Sequence, residues 1–328
     1  MEETKNKIQT IAVLTSGGDA PGMNAAIRAT VRTGLAMGLR VYGVNNGYTG
    51  LINDDMNEMT SISVSDIIGR GGTILRTSRC PEFATDAGRK RAYEVVCKRG
   101  IDALVVIGGD GSFRGAFDFS TQYPVRVIGI PGTIDNDIGC TEYTIGFDTA
   151  INTVRECMDK IKDTAFSHER CSIVEVMGRH AGFIALNCAI ACDAEGCVVP
   201  EEEFDLERDV LDPIRKWRER GKRHYLLVVA EGAADSNLLA EEIRNQLGIK
   251  PTVSVLGYLQ RGGSPTVKDR VTASVMGVRA VELLASGETR AVLAVKGGNV
   301  TAVPMAEAML MKKTLDPDEV RTERFLSM

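Results

Sequence analysis

The chain has 328 residues, 44% hydrophobic and 25% charged, with a formal net charge of -5, the profile of a globular protein long enough for two domains. A mildly acidic balance without a run of lysine or arginine excludes nucleic acid or a membrane surface as the main partner, so anionic ligands must be met by local basic clusters. Met1 to Thr10 lacks the apolar core of a signal peptide and no apolar run is long enough to span a bilayer, so the expected location is the cytoplasm.

Ile8 to Thr15 reads as a strand, followed by Ser16-Gly17-Gly18-Asp19-Ala20-Pro21-Gly22 and a helix from Met23 to Met37. Such a turn and helix start can cradle phosphate, although Met23 stands where a P-loop needs lysine and a purely structural turn has the same glycines. Arg40 to Asn45 is a second strand and Val64 to Ile68 a short helix. Thr73 to Thr77 reads as a strand ending at Ser78-Arg79-Cys80-Pro81, which puts Arg79 either on the ligand side of a sheet or in a solvated loop. Asp86 to Arg99 has helical periodicity with Gly100 as its stop.

Asp102 to Ile107 is a continuous apolar strand, and Gly108-Gly109-Asp110-Gly111-Ser112 follows it at once. Glycines admit a polyphosphate there, and Asp110 is suited to Mg²⁺. Val125 to Ile130 is another buried strand, broken by Pro131 and Gly132. Beyond it Thr133, Asp135 and Asp137 alternate along a short extended piece, on one face, suited to a metal-bound phosphate and to taking a proton from an alcohol. An Asx-rich turn is the competing reading. Two glycine loops and an Asp-Thr-Asp loop after neighbouring strands favour one phosphate site along a sheet edge.

Gly146 to Phe166 is an amphipathic helix. Strands follow at Cys171 to Val176, Tyr225 to Val229, Thr252 to Leu256 and Arg290 to Val295, the last clear one, with helices at Ala181 to Cys192 and Thr266 to Leu284. Arg179 and Glu231 fall just after strand ends. The eight cysteines, with only three histidines in the chain, have no Cys-x-x-Cys and read as reduced core thiols; Cys188 and Cys192 lack a second half for a metal or redox site.

The segments GGDAPGMNAAIR (17 to 28), GGDGS (108 to 112), PGTIDND (131 to 137), MGR (177 to 179) and LQRGGSP (259 to 265) resemble, in order and spacing, the bacterial-type ATP-dependent 6-phosphofructokinases over nearly the whole chain. The resemblance implies an α/β fold of two Rossmann-like three-layer αβα domains with mostly parallel sheets and the active site in the interdomain cleft. It implies a nucleotide-binding domain of residues 1–146 with 260–310 and a sugar-phosphate-binding domain of 147–259 with 311–328. The implied reaction is transfer of the γ-phosphoryl group of MgATP to the 1-hydroxyl of fructose 6-phosphate, in glycolysis. A sugar kinase with another ketose or ketose-phosphate acceptor and a non-catalytic effector-binding subunit are the alternatives.

By motif position, the resemblance implies that Asp135 is the general base, with Thr133 and Asp137 beside it and Arg179 stabilising the transferring group. Gly17, Arg79, Cys80, Gly108, Gly109, Asp110, Gly111 and Ser112 would hold ATP, Asp110 also Mg²⁺. Met177, Gly178 and Glu231 would contact the sugar. Arg170 and Arg261 would contact its 6-phosphate, Arg170 from a neighbouring subunit of a homotetramer. Glycine at 111 and 132 favours ATP over pyrophosphate. Thr252 and Tyr258 stand in place of an arginine and a histidine of the phosphate pocket; the missing arginine implies an affinity about ten- to a hundredfold lower, while Thr and Tyr can each still donate one hydrogen bond. Arg28, Arg32, Glu195, Arg220, Lys222 and Arg223 match an effector site for a nucleotide or phosphoenolpyruvate-like anion, Glu195 as a cation ligand, with Lys162 in place of an arginine and Ser61 where another arginine is usual; a solvated basic helix face is the competing reading for Arg28 and Arg32.

Overall fold

The computed structural model describes residues 8–327; residues 1–7, with most of the polar N-terminal stretch, and residue 328 lie outside the description. Along the chain come β1 (Thr10–Ser16), α1 (Met23–Ala36), β2 (Arg40–Val44), α2 (Gly47–Ile52), β3 (Met56–Glu58), α3 (Asp86–Arg99), β4 (Ala103–Gly108), α4 (Asp110–Gln122) and β5 (Arg126–Pro131). There follow α5 (Phe147–Ser167), β6 (Cys171–Val176), α6 (Phe183–Ala191), β7 (Gly196–Val198), α7 (Asp212–Glu219), β8 (Tyr225–Ala230), α8 (Ser236–Leu247) and β9 (Thr252–Val255). The chain ends with α9 (Val267–Ser286), β10 (Ala291–Lys296), β11 (Asn299–Pro304), α10 (Met305–Ala308) and α11 (Pro317–Leu326). Contacts divide it into two compact units, Met1–Ile134 with Ile138–Thr149 and Arg261–Lys313, and Asp135–Asp137 with Ala150–Gln260 and Thr314–Met328.

The first unit holds a seven-stranded sheet in the order β11-β10-β5-β4-β1-β2-β3. Its central strands are parallel, and only the edge strands β3 and β11 run antiparallel. Strands β1 and β4 are buried along their whole length, as the unbroken apolar runs predict for parallel strands covered on both faces. One face packs a cluster that includes Leu14, Leu104, Val106, Phe113 and Phe119. Registers Ser16↔Gly108 and Gly108↔Pro131 bring the carboxyl ends of β1, β4 and β5 level. The loops after them therefore leave the sheet side by side, where open α/β sheets bind ligands.

The second unit holds a parallel four-stranded sheet in the order β7-β8-β6-β9. Alternation buries Cys171, Ile173, Tyr225, Leu227 and Val229 in a core with Val210, Ile214 and Ile243. Its strands carry polar groups at both ends. Met177, Gly178, Arg179 and Glu231 follow the carboxyl ends of β6 and β8, whereas Arg170, His224 and Thr252 stand at the amino ends of β6, β8 and β9.

Four expectations are corrected. Val64 to Ile68 is a series of turns, not a helix: Thr60 and Ser63 bond each other's backbone N–H, and Asp66 adopts a left-handed φ of 56°, side-chain competition that disfavours helix. Thr73 to Thr77 is not a strand; Arg76 turns at φ 57°, and the Ile74 N–H goes to the Asn24 side chain at 2.8 Å. Pro131 is the last residue of β5 rather than its breaker, because its carbonyl still accepts the Ile145 N–H at 2.9 Å. Finally β10 is not the last strand: Gly297 and Gly298, both at positive φ, turn the chain into β11, the backbone of a tight hairpin.

Candidate active site

The first glycine loop is held from two sides. The Thr77 hydroxyl donates to the Gly17 carbonyl at 2.9 Å, which anchors the segment carrying Arg79 although no strand precedes it. Arg261 donates to the Asp19 carbonyl at 3.0 Å. The loop ends at Gly22, the left-handed N-cap of α1, where no side chain caps the helix. Backbone carbonyls serve in its place: the Met23 N–H donates to the Ala20 carbonyl at 3.2 Å and the Ala25 N–H to the Gly22 carbonyl at 3.0 Å, and the positive end of the helix still favours an anion nearby.

The second loop is built by crowding. A Cβ on Gly108 would lie 2.4 Å from the Ser16 carbonyl oxygen and 2.6 Å from Ser112 Oγ, so only glycine lets β4 pass this close. Ser112 is buried and its hydroxyl donates to the Ser16 carbonyl at 3.1 Å, which joins the two loops. Gly109 and Gly111 are different, because a Cβ at either meets nothing within 4 Å. Internal packing does not require those two glycines; they leave open space beside the start of α4. Asp110, in the first turn of α4, reaches solvent, and desolvation by nearby protein raises its pKa against the opposing pull of Arg114. No group of three or more potential metal ligands exists among the described residues. A single accessible carboxylate beside open space fits Mg²⁺, which keeps several waters and binds through one or two carboxylates plus phosphate.

The third loop departs from the extended form. After Gly132, which bridges to Ile145, the chain bends at Ile134 and Asp135 and turns left-handed at Asn136, φ 53°. Simple alternation of Thr133, Asp135 and Asp137 on one face therefore does not hold; the turn reading describes the backbone better. Asp135 is 6% exposed and Asn136 5%, with Thr133 and Asp137 half-buried. Thr144 fixes the loop by donating to the Thr133 carbonyl at 2.7 Å. Gly132 has a packing reason of its own: a Cβ there would press on Ile107 at 3.0 Å and Met23 at 3.2 Å. It is thus weaker than Gly111 as a sign of the phosphoryl donor. Cys80 is a half-buried free thiol opening a 3-10 turn.

In the second unit the carboxyl-end loop is strained and tethered. Gly178 has φ 143° and its missing Cβ would sit 2.2 Å from the Ala181 carbonyl; Arg179 follows at φ 60°. The Arg179 N–H donates to Glu231 Oε1 at 2.8 Å, and the Met177 N–H to the buried Gln260 side chain at 3.0 Å. Met177, Gly178, Arg179 and Glu231 are brought together. Arg170 and Thr252 are not with them: they stand across the length of β6, whose six residues span about 20 Å. Tyr258, in the turn after β9, is 83% exposed.

Among the effector candidates, Glu195 is 3% exposed, ion-paired with Lys222, and accepts the Leu226 N–H at 2.5 Å. Both its oxygens are engaged by protein. Lys222 and Arg220 lie over the Trp217 ring at 4.9 and 5.3 Å. Lys162 pairs with Asp193 at 2.9 Å and Arg223 with Glu169 at 3.3 Å. On α1, Arg28 is half-buried and Arg32 exposed.

Sequence reasoning missed Asp269. It is fully buried in α9, and it accepts from the Tyr143 hydroxyl, from the Gly146 N–H at 2.7 Å and from Thr149 N–H and Oγ1 at 2.9 and 2.5 Å. Burial raises its pKa while these donors lower it. The only signal was an aspartate three residues after the helix-capping Thr266.

Residues 10–284 match the family described as Phosphofructokinase. The chain is 51% identical over 322 residues to the ATP-dependent 6-phosphofructokinase of Thermoanaerobacter sp. (strain X514), covering 98% of this chain and 100% of the relative. It is 51% identical over 311 residues to the enzyme of that name from Clostridium botulinum (strain Hall / ATCC 3502 / NCTC 13319 / Type A), covering 95% and 97%. A solved phosphofructokinase of Saccharomyces cerevisiae superposes with a TM-score of 0.86 at 35% identity over 92% of this chain, which spans 45% of that longer chain. By sequence, by fold and by the loops that follow its strands, the chain belongs to the phosphofructokinase family.

Proposed function

We propose that the protein is an ATP-dependent 6-phosphofructokinase acting in glycolysis, transferring the γ-phosphoryl group of ATP to the 1-hydroxyl of fructose 6-phosphate. The observation that carries this reading is the open space at Gly109 and Gly111 beside Asp110, together with full-length relatives of that name. Phosphoryl transfer asks a protein mainly for positioning and charge. In this assignment Gly17, Arg79, Cys80 and the 108–112 loop, all of the first unit, hold ATP. Asp110 holds Mg²⁺, which supplies charge neutralisation on the phosphates. Asp135 takes the proton of the sugar hydroxyl, with Thr133 and Asp137 beside it. Arg179 stabilises charge on the transferring group, Met177, Gly178 and Glu231 orient the sugar, and Arg170 and Arg261 meet the 6-phosphate.

The separation of Arg170 from Glu231 along β6 favours a shared site. A fructose 6-phosphate molecule is shorter than a six-residue strand, which supports Arg170 serving the sugar of a partner copy; the assembly proposed is the homotetramer that the family resemblance implies. Arg28, Arg32, Lys162, Arg220, Lys222 and Arg223 receive an anionic effector, while Glu195 acts by holding Lys222. No helix among the described residues is long and apolar enough to cross a membrane, and the cytoplasm is the proposed location. The absence of arginine at position 252 favours one second reading, a kinase for another ketose phosphate.

Steady-state ADP release with MgATP decides between them. Fructose 6-phosphate, other ketose phosphates and free fructose are compared, with pyrophosphate as alternative donor. Saturable turnover of fructose 6-phosphate with ATP is the expected result; preference for another acceptor sinks the main reading.

A further inference from the structure

At the amino edge of the second sheet, an arginine, a lysine and a histidine come together. The register Cys171↔Tyr225 and Ser172↔Thr252 sets Arg170 beside His224 on one side, and the Tyr225 N–H bonded to the Arg170 carbonyl at 3.1 Å extends that ladder to Arg170 itself. On the other side the residue level with Arg170 is Lys250. A residue that precedes proline is held extended, so Pro251 carries the strand alternation of β9 back to Lys250. Cys171, Ile173, Tyr225 and Val253 face the core of this unit. Arg170, His224, Thr252 and Lys250 consequently belong to the opposite face.

Arg170 and Lys250 are both exposed, and neither forms an ion pair among the described residues. Their neighbours are different, since Lys222 is bound to Glu195, Arg223 to Glu169 and Lys162 to Asp193. His224 is half-buried with its ring edge-on to Phe166 at 5.1 Å, which fixes the ring at the same edge. Position 252 carries an exposed threonine. Two residues along a strand is about 6.6 Å, a step that a lysine's four-carbon stem can cover.

We propose that Lys250 is a specificity-determining residue for the phosphate monoester of the sugar, its ammonium supplying beside Arg170 the charge that Thr252 lacks. This rests on the proposed function, in which Arg170 meets the 6-phosphate. Lys250 contributes a point charge and rotatable donors rather than a fixed fork, so it favours phosphate over the neutral sugar without selecting one ketose ring geometry.

The test compares KM for fructose 6-phosphate and for MgATP in the wild type, Lys250→Met, Lys250→Arg and the double variant Lys250→Met/Thr252→Arg. Lys250→Met is expected to raise KM for fructose 6-phosphate at least about tenfold, the loss of one charge-assisted contact, with kcat and the KM for MgATP unchanged. Lys250→Arg stays within about threefold of the wild type, and arginine at 252 recovers most of the affinity lost in Lys250→Met. An unchanged KM for fructose 6-phosphate in Lys250→Met, with the wild type active, overturns the role of Lys250 alone. A double variant that stays as weak as Lys250→Met overturns it too, since the loss is then not one of charge at this edge. A wild type that does not phosphorylate fructose 6-phosphate overturns the proposed function, and this inference with it.

Discussion

The backbone N–H of Arg179 is held by Glu231 Oε1 at 2.8 Å while Arg179 itself sits at φ 60°. A left-handed conformation costs a non-glycine residue of order 1 kcal/mol or more, and this tether helps hold it. Glu231→Ala should therefore lower kcat/KM for fructose 6-phosphate at least about tenfold, more than loss of a sugar contact alone, because the arginine is released with it. Glu231→Gln keeps an oxygen acceptor for that N–H and should lose less. Equal effects of the two substitutions in steady-state assays would argue against the tether.

Asp135→Ala should reduce kcat by about a hundredfold or more, the usual general-base contribution, with ATP affinity little changed. A near-normal rate would remove Asp135 from its assigned role.

Two glycines of one loop should behave in opposite ways. Gly108→Ala forces a Cβ to within 2.4 Å of the Ser16 carbonyl and should lower the melting temperature by several degrees, as overpacking costs about 1–3 kcal/mol. Gly111→Asp meets open space, so the fold should be kept while the carboxylate repels the nucleotide phosphates and raises the KM for MgATP about tenfold. Thermal melts and ATP titrations on both variants separate the cases; an ATP affinity unaltered in Gly111→Asp would remove that glycine from the nucleotide site.

Restoring arginine at 252 on the wild-type background should lower the KM for fructose 6-phosphate. If KM does not move, the phosphate is gripped elsewhere than at the amino edge of β9.

Glu323 of α11 is 9% exposed, and its Oε1 has no hydrogen-bond partner among the described residues. Burial raises its pKa from 4.5 to about 7, opposed by Arg324 and reinforced by Glu202 and Asp209. The folded state holds the proton more tightly than the unfolded one, so stability is lost as pH climbs from 4.5 to about 7 and levels off above, a cost on the order of 3 kcal/mol. Glu323→Gln should abolish this slope and be the more stable protein at pH 8. Melts at acidic and alkaline pH in which the variant and wild type move in parallel would contradict it.

Much of this architecture is legible in the chain because parallel strands covered on both faces leave unbroken apolar runs, and the loops after β1, β4 and β5 announce themselves by glycine and aspartate. What is illegible depends on side-chain bonds to the backbone and on left-handed turns, some local and some between positions far apart in the chain. Thr60 and Ser63 replace a helix with turns by bonding each other's backbone; Asn24 draws Ile74 away from a strand; Asp269 gathers Tyr143, Gly146 and Thr149 across more than a hundred positions. The bend at Asp135 is local, and its two-residue alternation mimics a strand until Asn136 turns left-handed.

Strand β6 separates Arg170 from Arg179 by its own length. If each end serves a different sugar, specific activity becomes a property of concentration rather than of the folded chain. Dilution below the point where copies part should first appear as weakened substrate affinity, with the circular dichroism spectrum and melting curve of each copy still intact.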